Sequence, residues 1–159
     1  MGVKTYGTMA VALAFAAVLQ AQEGTIVTPP EIAWPGTAAS GGLGTSGASG
    51  IQTVVLAGDP AKRGLYTLRL KVAPNVRIQA HSHADERSAV VLSGTWHFGY
   101  GRQFDEKKLK ALPPGSFYTE PANIDHFAMT REAVVLQITG FGPSSTTYVE
   151  ATQDPGRRP

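Results

Sequence analysis

From position 51 to position 149 apolar and polar residues alternate with a period of two, and turn residues interrupt the alternation at short intervals. Tyr66, Leu68, Leu70 and Val72 alternate with Leu65, Thr67, Arg69 and Lys71, so a strand here turns one face to a core and the other to water. Asp59-Pro60 before it and Pro74-Asn75 after it are turn dipeptides. The same pattern predicts strands over 76–83, 88–92, 95–100, 117–120, 127–129, 134–139 and 146–149. They are divided by Ser93-Gly94, by Gly99 and Gly101, and by Pro113-Pro114-Gly115. Only 104–112 reads as helical, a charged turn or two. Many short strands of this kind call for an antiparallel sandwich or barrel, and closure into a double-sheet barrel removes exposed edges. An all-β barrel with one short helix is therefore expected.

The remaining features bound this domain. The chain has 159 residues, one domain's worth, with 42% apolar and 16% charged residues. Fourteen basic against twelve acidic side chains give a net charge of +2 without a basic stripe, which argues against a nucleic-acid partner. There is no cysteine, hence no disulfide and no thiolate ligand. Lys4 followed by an apolar run over 9–19 and the small residue Ala21 reads as an export signal over 1–21. The run is shorter than the roughly 20 residues a spanning helix needs. A periplasmic or secreted protein without a stable membrane anchor is expected once the signal is cleaved. Residues 22–50 read as an extended, Gly/Ser-rich segment, with a short strand at Ile26-Val27 and a flexible connector over 36–50. These glycines lack the lysine of a phosphate-cradling loop. The barrel is expected over 51–150 and a polar tail over 151–159.

Three of the four histidines fall where a metal would need them. Residues i and i+2 of a strand project from one face, so His81 and His83 can address one point. His126 ends a Gly- and Pro-framed turn and would bring a third imidazole from another strand, leaving open positions for a substrate. A chance pair of surface histidines is the plainer reading of His81 and His83.

The stretch His-Ser-His-Ala-Asp-Glu-Arg-Ser-Ala-Val-Val-Leu-Ser-Gly over 81–94 resembles the first motif of the cupin superfamily. The stretch Gly-Ser-Phe-Tyr-Thr-Glu-Pro-Ala-Asn-Ile-Asp-His over 115–126 resembles its second. The likeness covers roughly 51–149 and points towards small, single-domain, exported cupins. It implies a jelly-roll barrel (a double-stranded β-helix) with a divalent metal in its mouth, held by His81, His83 and His126. Iron, manganese, zinc and nickel all suit such imidazole ligands.

At one position the sequence departs from that pattern. The family's fourth ligand is a glutamate followed by six residues and a glycine, and the slot before Gly94 holds Arg87, with Glu86 one residue earlier. A guanidinium cannot ligate a metal. A unit charge about 5 Å from a divalent ion costs roughly 6–7 kcal/mol at an effective dielectric of 20. A local bulge could swing Glu86 into the site. Alternatively Arg87 is drawn onto Asp85, Glu86 or Glu120 and leaves a bare three-histidine centre. An anionic substrate could also sit between metal and Arg87, bound by the guanidinium. A site that has lost its metal is the remaining reading.

Other side chains carry weaker expectations. Gln79 shares the face of His81 and His83 in a regular strand and would then orient substrate. Glu120, before the Pro121 turn, reads either as a solvated edge carboxylate, as a partner for an imidazole N–H, or as a general base. His97 reads as a partly exposed strand histidine or as a proton carrier near the metal. Trp96, Phe98 and Tyr100 alternate on one face, as core or as substrate lining, and Asp125 should point away from the site. Asn123 replaces a glycine of the second motif and tolerates a left-handed conformation. The leading function is a metal-dependent enzyme (oxygenase, lyase, isomerase or hydrolase) acting on a small anionic or oxygenated molecule. A non-catalytic small-ligand-binding module and a structural barrel are the alternatives. A homodimer built by sheet extension, with Ile26-Val27 as edge strand, is a further expectation.

Overall fold

A computed structural model describes residues 24–36 and 41–157, so the export signal expected over 1–21 lies outside the described residues. Ten strands follow one another: β1 (Ile51–Ala57), β2 (Gly64–Val72), β3 (Arg77–His83), β4 (Arg87–Ser93), β5 (Trp96–Tyr100), β6 (Lys110–Leu112), β7 (Phe117–Glu120), β8 (His126–Thr130), β9 (Val134–Gly142) and β10 (Thr146–Tyr148). They form two antiparallel five-stranded sheets, ordered β1-β2-β9-β4-β7 and β10-β3-β8-β5-β6. The two inner faces enclose the core of a jelly-roll barrel.

The alternation in β2 sets the register of the first sheet. Leu68, Leu70 and Val72 lie opposite Ile138, Leu136 and Val134 of β9, and all six are buried. Opposed residues of an antiparallel pair share a face, so a slip by one position would turn this apolar set into water. Each fully buried side chain of this size contributes about 1.5–3 kcal/mol. The Ser93-Gly94 turn is equally constrained. Gly94 has φ +70°, and a Cβ there would lie 2.3 Å from the Ala133 carbonyl oxygen.

Four expectations are corrected. The helix over 104–112 is only a three-residue 3-10 turn, Glu106–Lys108, capped by the Asp105 side chain; Lys110–Leu112 instead completes the second sheet as β6. Its helical periodicity was too short to compete with an open sheet edge. Ile26 and Val27 form no strand; both are exposed, and a 3-10 turn at Pro29–Glu31 follows. The described part of the supposed connector, 41–50, is tied to the barrel, with Thr45, Ser46 and Ala48 buried. Finally, the register of β3 on β8 shifts between Ile78 and His81, so strict alternation fails there.

Candidate metal centre

The register shift in β3 decides what faces the cavity. Past it, His81 and His83 point into the barrel, and His126, first residue of β8, lies directly opposite His81. One ring nitrogen from each of the three lies within 4.8 Å of the others. Gln79 falls on the other side of the shift and lines an outer groove with Arg77 and Arg102, so it does not share the histidine face. Its main-chain oxygen matters instead.

Each imidazole is oriented by an oxygen on its outer edge. The Nδ1 atoms of His81, His83 and His126 lie 2.7, 3.2 and 3.0 Å from the carbonyl oxygens of Gln79, Ser145 and Ile124. A carbonyl only accepts, so each Nδ1 carries the proton and each Nε2 keeps its lone pair. The Thr146 hydroxyl donates to the Thr45 carbonyl at 2.8 Å and accepts from His83 Nδ1 at 3.0 Å. The Nε2 atoms of His83 and His126 are buried and have no hydrogen-bond partner. Buried polar atoms are rarely left so, and two such lone pairs converging with a third imidazole fit a cation.

Charge supports the same fit. Burial holds His81 down to about pKa 3, with the neighbouring His126 adding to the effect. Burial and then the Arg87 charge hold His83 well below its ordinary value, and burial lowers His126 against the pull of Glu120. All three are therefore neutral at pH 7.

Arg87 is buried and lies opposite Glu120 in the β4–β7 ladder. Its Nε donates to Glu120 Oε2 at 2.8 Å, Nη2 donates to the same oxygen, and Nη1 donates to the Gly44 carbonyl at 2.5 Å. Burial alone would raise the Glu120 carboxyl, but the guanidinium overrides it and holds the group below its ordinary value. Glu120 Oε2 also lies 3.8 Å from His83 Nε2 and 3.7 Å from His126 Nε2. A carboxylate thus reaches the histidine group across the ladder, held by Arg87, and Glu120 is no solvated edge residue. The ion pair cancels the Arg87 charge beside the centre. Glu86 is exposed and does not enter the site, so the bulge that would have brought it there is absent.

His97 is not at the centre. It alternates with Trp96 and Phe98, which are buried and line the cavity, and so faces away from it. Phe98 packs on Tyr118 and on the His126 ring at centroid distances of 4.5 and 5.4 Å, serving as core and lining together. Tyr100 is half exposed and donates to the Thr119 carbonyl. Asp125 pairs with Arg102 outside the site, and Asn123 has φ 61° in the turn that delivers His126.

Three features escaped the sequence reading. Tyr66 donates to Asp85 Oδ2 at 2.5 Å inside the barrel, and burial, with Asp85 behind it, pushes the Tyr66 phenol up to about 12. Stepping by two from His81 through His83 and Asp85 to Arg87 was the available signal, because all four are buried. Tyr148 stacks on His81 at 5.2 Å, and Tyr118 lies on the cavity wall, its phenol raised by burial and by Glu120. No local pattern in the sequence marks these two.

No protein-family model matches the chain, and no curated protein matches it. Solved structures do. The polyketide cyclase RemF from Streptomyces resistomycificus superposes with a TM-score of 0.63 at 16% identity, over 84% of this chain and 90% of its own. KdgF from Halomonas sp. gives a TM-score of 0.54 at 18% identity, over 76% and 96% of the two chains. A salicylate 1,2-dioxygenase from Pseudoaminobacter salicylatoxidans, in complex with gentisate, gives 0.52 at 11% identity; 63% of this chain matches 29% of that longer one. At these identities the likeness concerns the fold.

Proposed function

Since this chain folds as a cupin barrel, we propose that it is a metal-dependent enzyme acting on a small anionic or oxygenated molecule. His81, His83 and His126 would hold a divalent transition metal (iron, manganese, zinc or nickel) through Nε2. The observation that carries this reading is the convergence of three neutral imidazoles whose outer nitrogens are all engaged by carbonyls. The metal would supply Lewis acidity towards a substrate oxygen and lower the pKa of bound water.

The rest follows from the chain's own groups. Glu120 stays ionised beside two Nε2 atoms and accepts hydrogen bonds from a substrate O–H or water. Its lowered pKa makes it a weak proton acceptor, so its main role is to hold negative charge against Arg87. Tyr118 stays protonated and is a donor on the cavity wall. Arg87 lines the cavity with its charge balanced by Glu120, and its hydrogen bond to the Gly44 carbonyl is the one that a substrate oxygen could replace. Leu70, Trp96, Phe98 and Leu136 are among the apolar residues that complete the lining. The dioxygenase, cyclase and related neighbours support an enzyme on this fold without selecting its reaction. We also infer export to the periplasm or exterior through residues 1–21.

Elemental analysis of the untagged protein tests the reading. About one transition-metal ion per chain is expected, lost in the His81→Ala, His83→Ala double variant. Trace metal in the parent protein, or the same content in the double variant, would sink it.

A further inference from the structure

The three histidines are only 3%, 1% and 2% exposed, and the cavity they face measures about 30 Å³. That is room for about two waters. A larger molecule reaching these rings would have to widen the space. Thr45 and Ser46 line this cavity on one side and an outer groove of about 320 Å³ on the other. The far wall of that groove is formed by Asp154, Pro155 and Gly156. Thr45 and Ser46 thus stand between the cavity and this groove.

We propose that the loop 41–48 is the gate of the three-histidine centre and that Arg87, Thr146 and Tyr148 are its latches. The loop belongs to neither sheet. Its ends are joined by Gly41 N–H donating to the Ala48 carbonyl at 3.3 Å, and Thr45 N–H donates to Gly42 within it, so it can swing as a unit. Three successive carbonyls hold it down. Gly44 accepts from Arg87 Nη1 at 2.5 Å, Thr45 from the Thr146 hydroxyl at 2.8 Å, and Ser46 from the Tyr148 hydroxyl at 2.8 Å. Each latch also touches a group of the centre. Arg87 grips Glu120, Thr146 accepts from His83 Nδ1, and the Tyr148 ring lies over His81 at an interplanar angle of 26°.

The loop is seated closely. Gly44 has φ +83°, a left-handed conformation that favours glycine, and a Cβ there would press on Leu68 Cδ1 at 2.8 Å. Opening withdraws that carbonyl and frees a guanidinium N–H on the cavity wall. An oxygen of an incoming carboxylate can take the vacated place, which couples access to recognition of charge. The gate rests on the metal-centre reading only for what it admits; the closure itself is independent of any ion.

Two conservative variants of the full chain test it. Tyr148→Phe keeps the ring on His81 and removes the hydroxyl, and Thr146→Val keeps the shape and removes the donor. Each should raise amide hydrogen exchange over 41–48 roughly three- to tenfold, with β2 and β9 unchanged as a control on folding. In a Trp34→Phe background, where Trp96 is the only tryptophan, acrylamide quenching of its fluorescence should rise in parallel. Unchanged loop exchange in whichever variant folds would overturn the latches. Faster loop exchange with unaltered Trp96 quenching would overturn the gate. Neither readout needs a metal, so a metal-free protein would defeat the proposed function and leave the gate to these measurements.

Discussion

Arg87 and Glu120 occupy directly opposed positions on β4 and β7, and two guanidinium nitrogens close on one carboxylate oxygen that also faces two imidazoles. Removing one partner strands a buried charge. Glu120→Gln should cost about 3–5 kcal/mol, whereas pairing it with Arg87→Met should cost less than the single change. Denaturant unfolding of the three variants gives the comparison; a double-variant loss equal to the sum of the two single losses would mean that the pair does not act as a unit.

The histidines predict an acid limb. Their folded pKa values lie below the unfolded value of about 6.5, so the unfolded chain binds more protons between those values. Stability of the metal-free protein should therefore fall as pH drops below about 6.5, by up to about 1.4 kcal/mol per pH unit for each histidine. Glu120 adds to the loss below its unfolded value, since its folded pKa is depressed. Thermal melts from pH 8 to pH 4 read this directly, and a flat profile across that range contradicts the neutral-ligand assignment.

Binding of a cation that the unfolded chain does not hold raises stability by mass action, about 2.7 kcal/mol at a hundredfold excess over Kd. A chelator should lower Tm by the corresponding amount. His126→Ala should abolish the chelator's effect even though its backbone sits in β8. A chelator-sensitive Tm in that variant would place the ion elsewhere.

Tyr66 and Asp85 form a buried hydrogen bond between β2 and the turn leading into β4. Tyr66→Phe leaves the carboxylate without its donor and should cost about 1–3 kcal/mol. Equilibrium unfolding checks it; a loss below about 0.5 kcal/mol would show that the hydroxyl is dispensable.

The barrel was legible because β2 and β9 alternate cleanly enough for burial to dictate their pairing. His81, His83 and His126 were legible because two-residue spacing and a turn-framed third histidine are local signals. Gln79 was misplaced because a register shift between Ile78 and His81 depends on the neighbouring strand, which a single strand's sequence does not specify. Lys110–Leu112 shows the same limit, an edge strand chosen by β5 rather than by its own periodicity. The Gly44 contact with Arg87 spans 43 positions, and nothing in a glycine-rich stretch marks which carbonyl will be used.

Every imidazole of the trio is spoken for on its outward nitrogen by a peptide oxygen, so the inward lone pairs are aimed before any ion arrives. Little rearrangement then remains for the moment of capture. For an ion held there, discrimination would pass to the backbone, whose fixed spacing would decide what radius can be satisfied, and swapping neighbouring side chains should retune it only weakly.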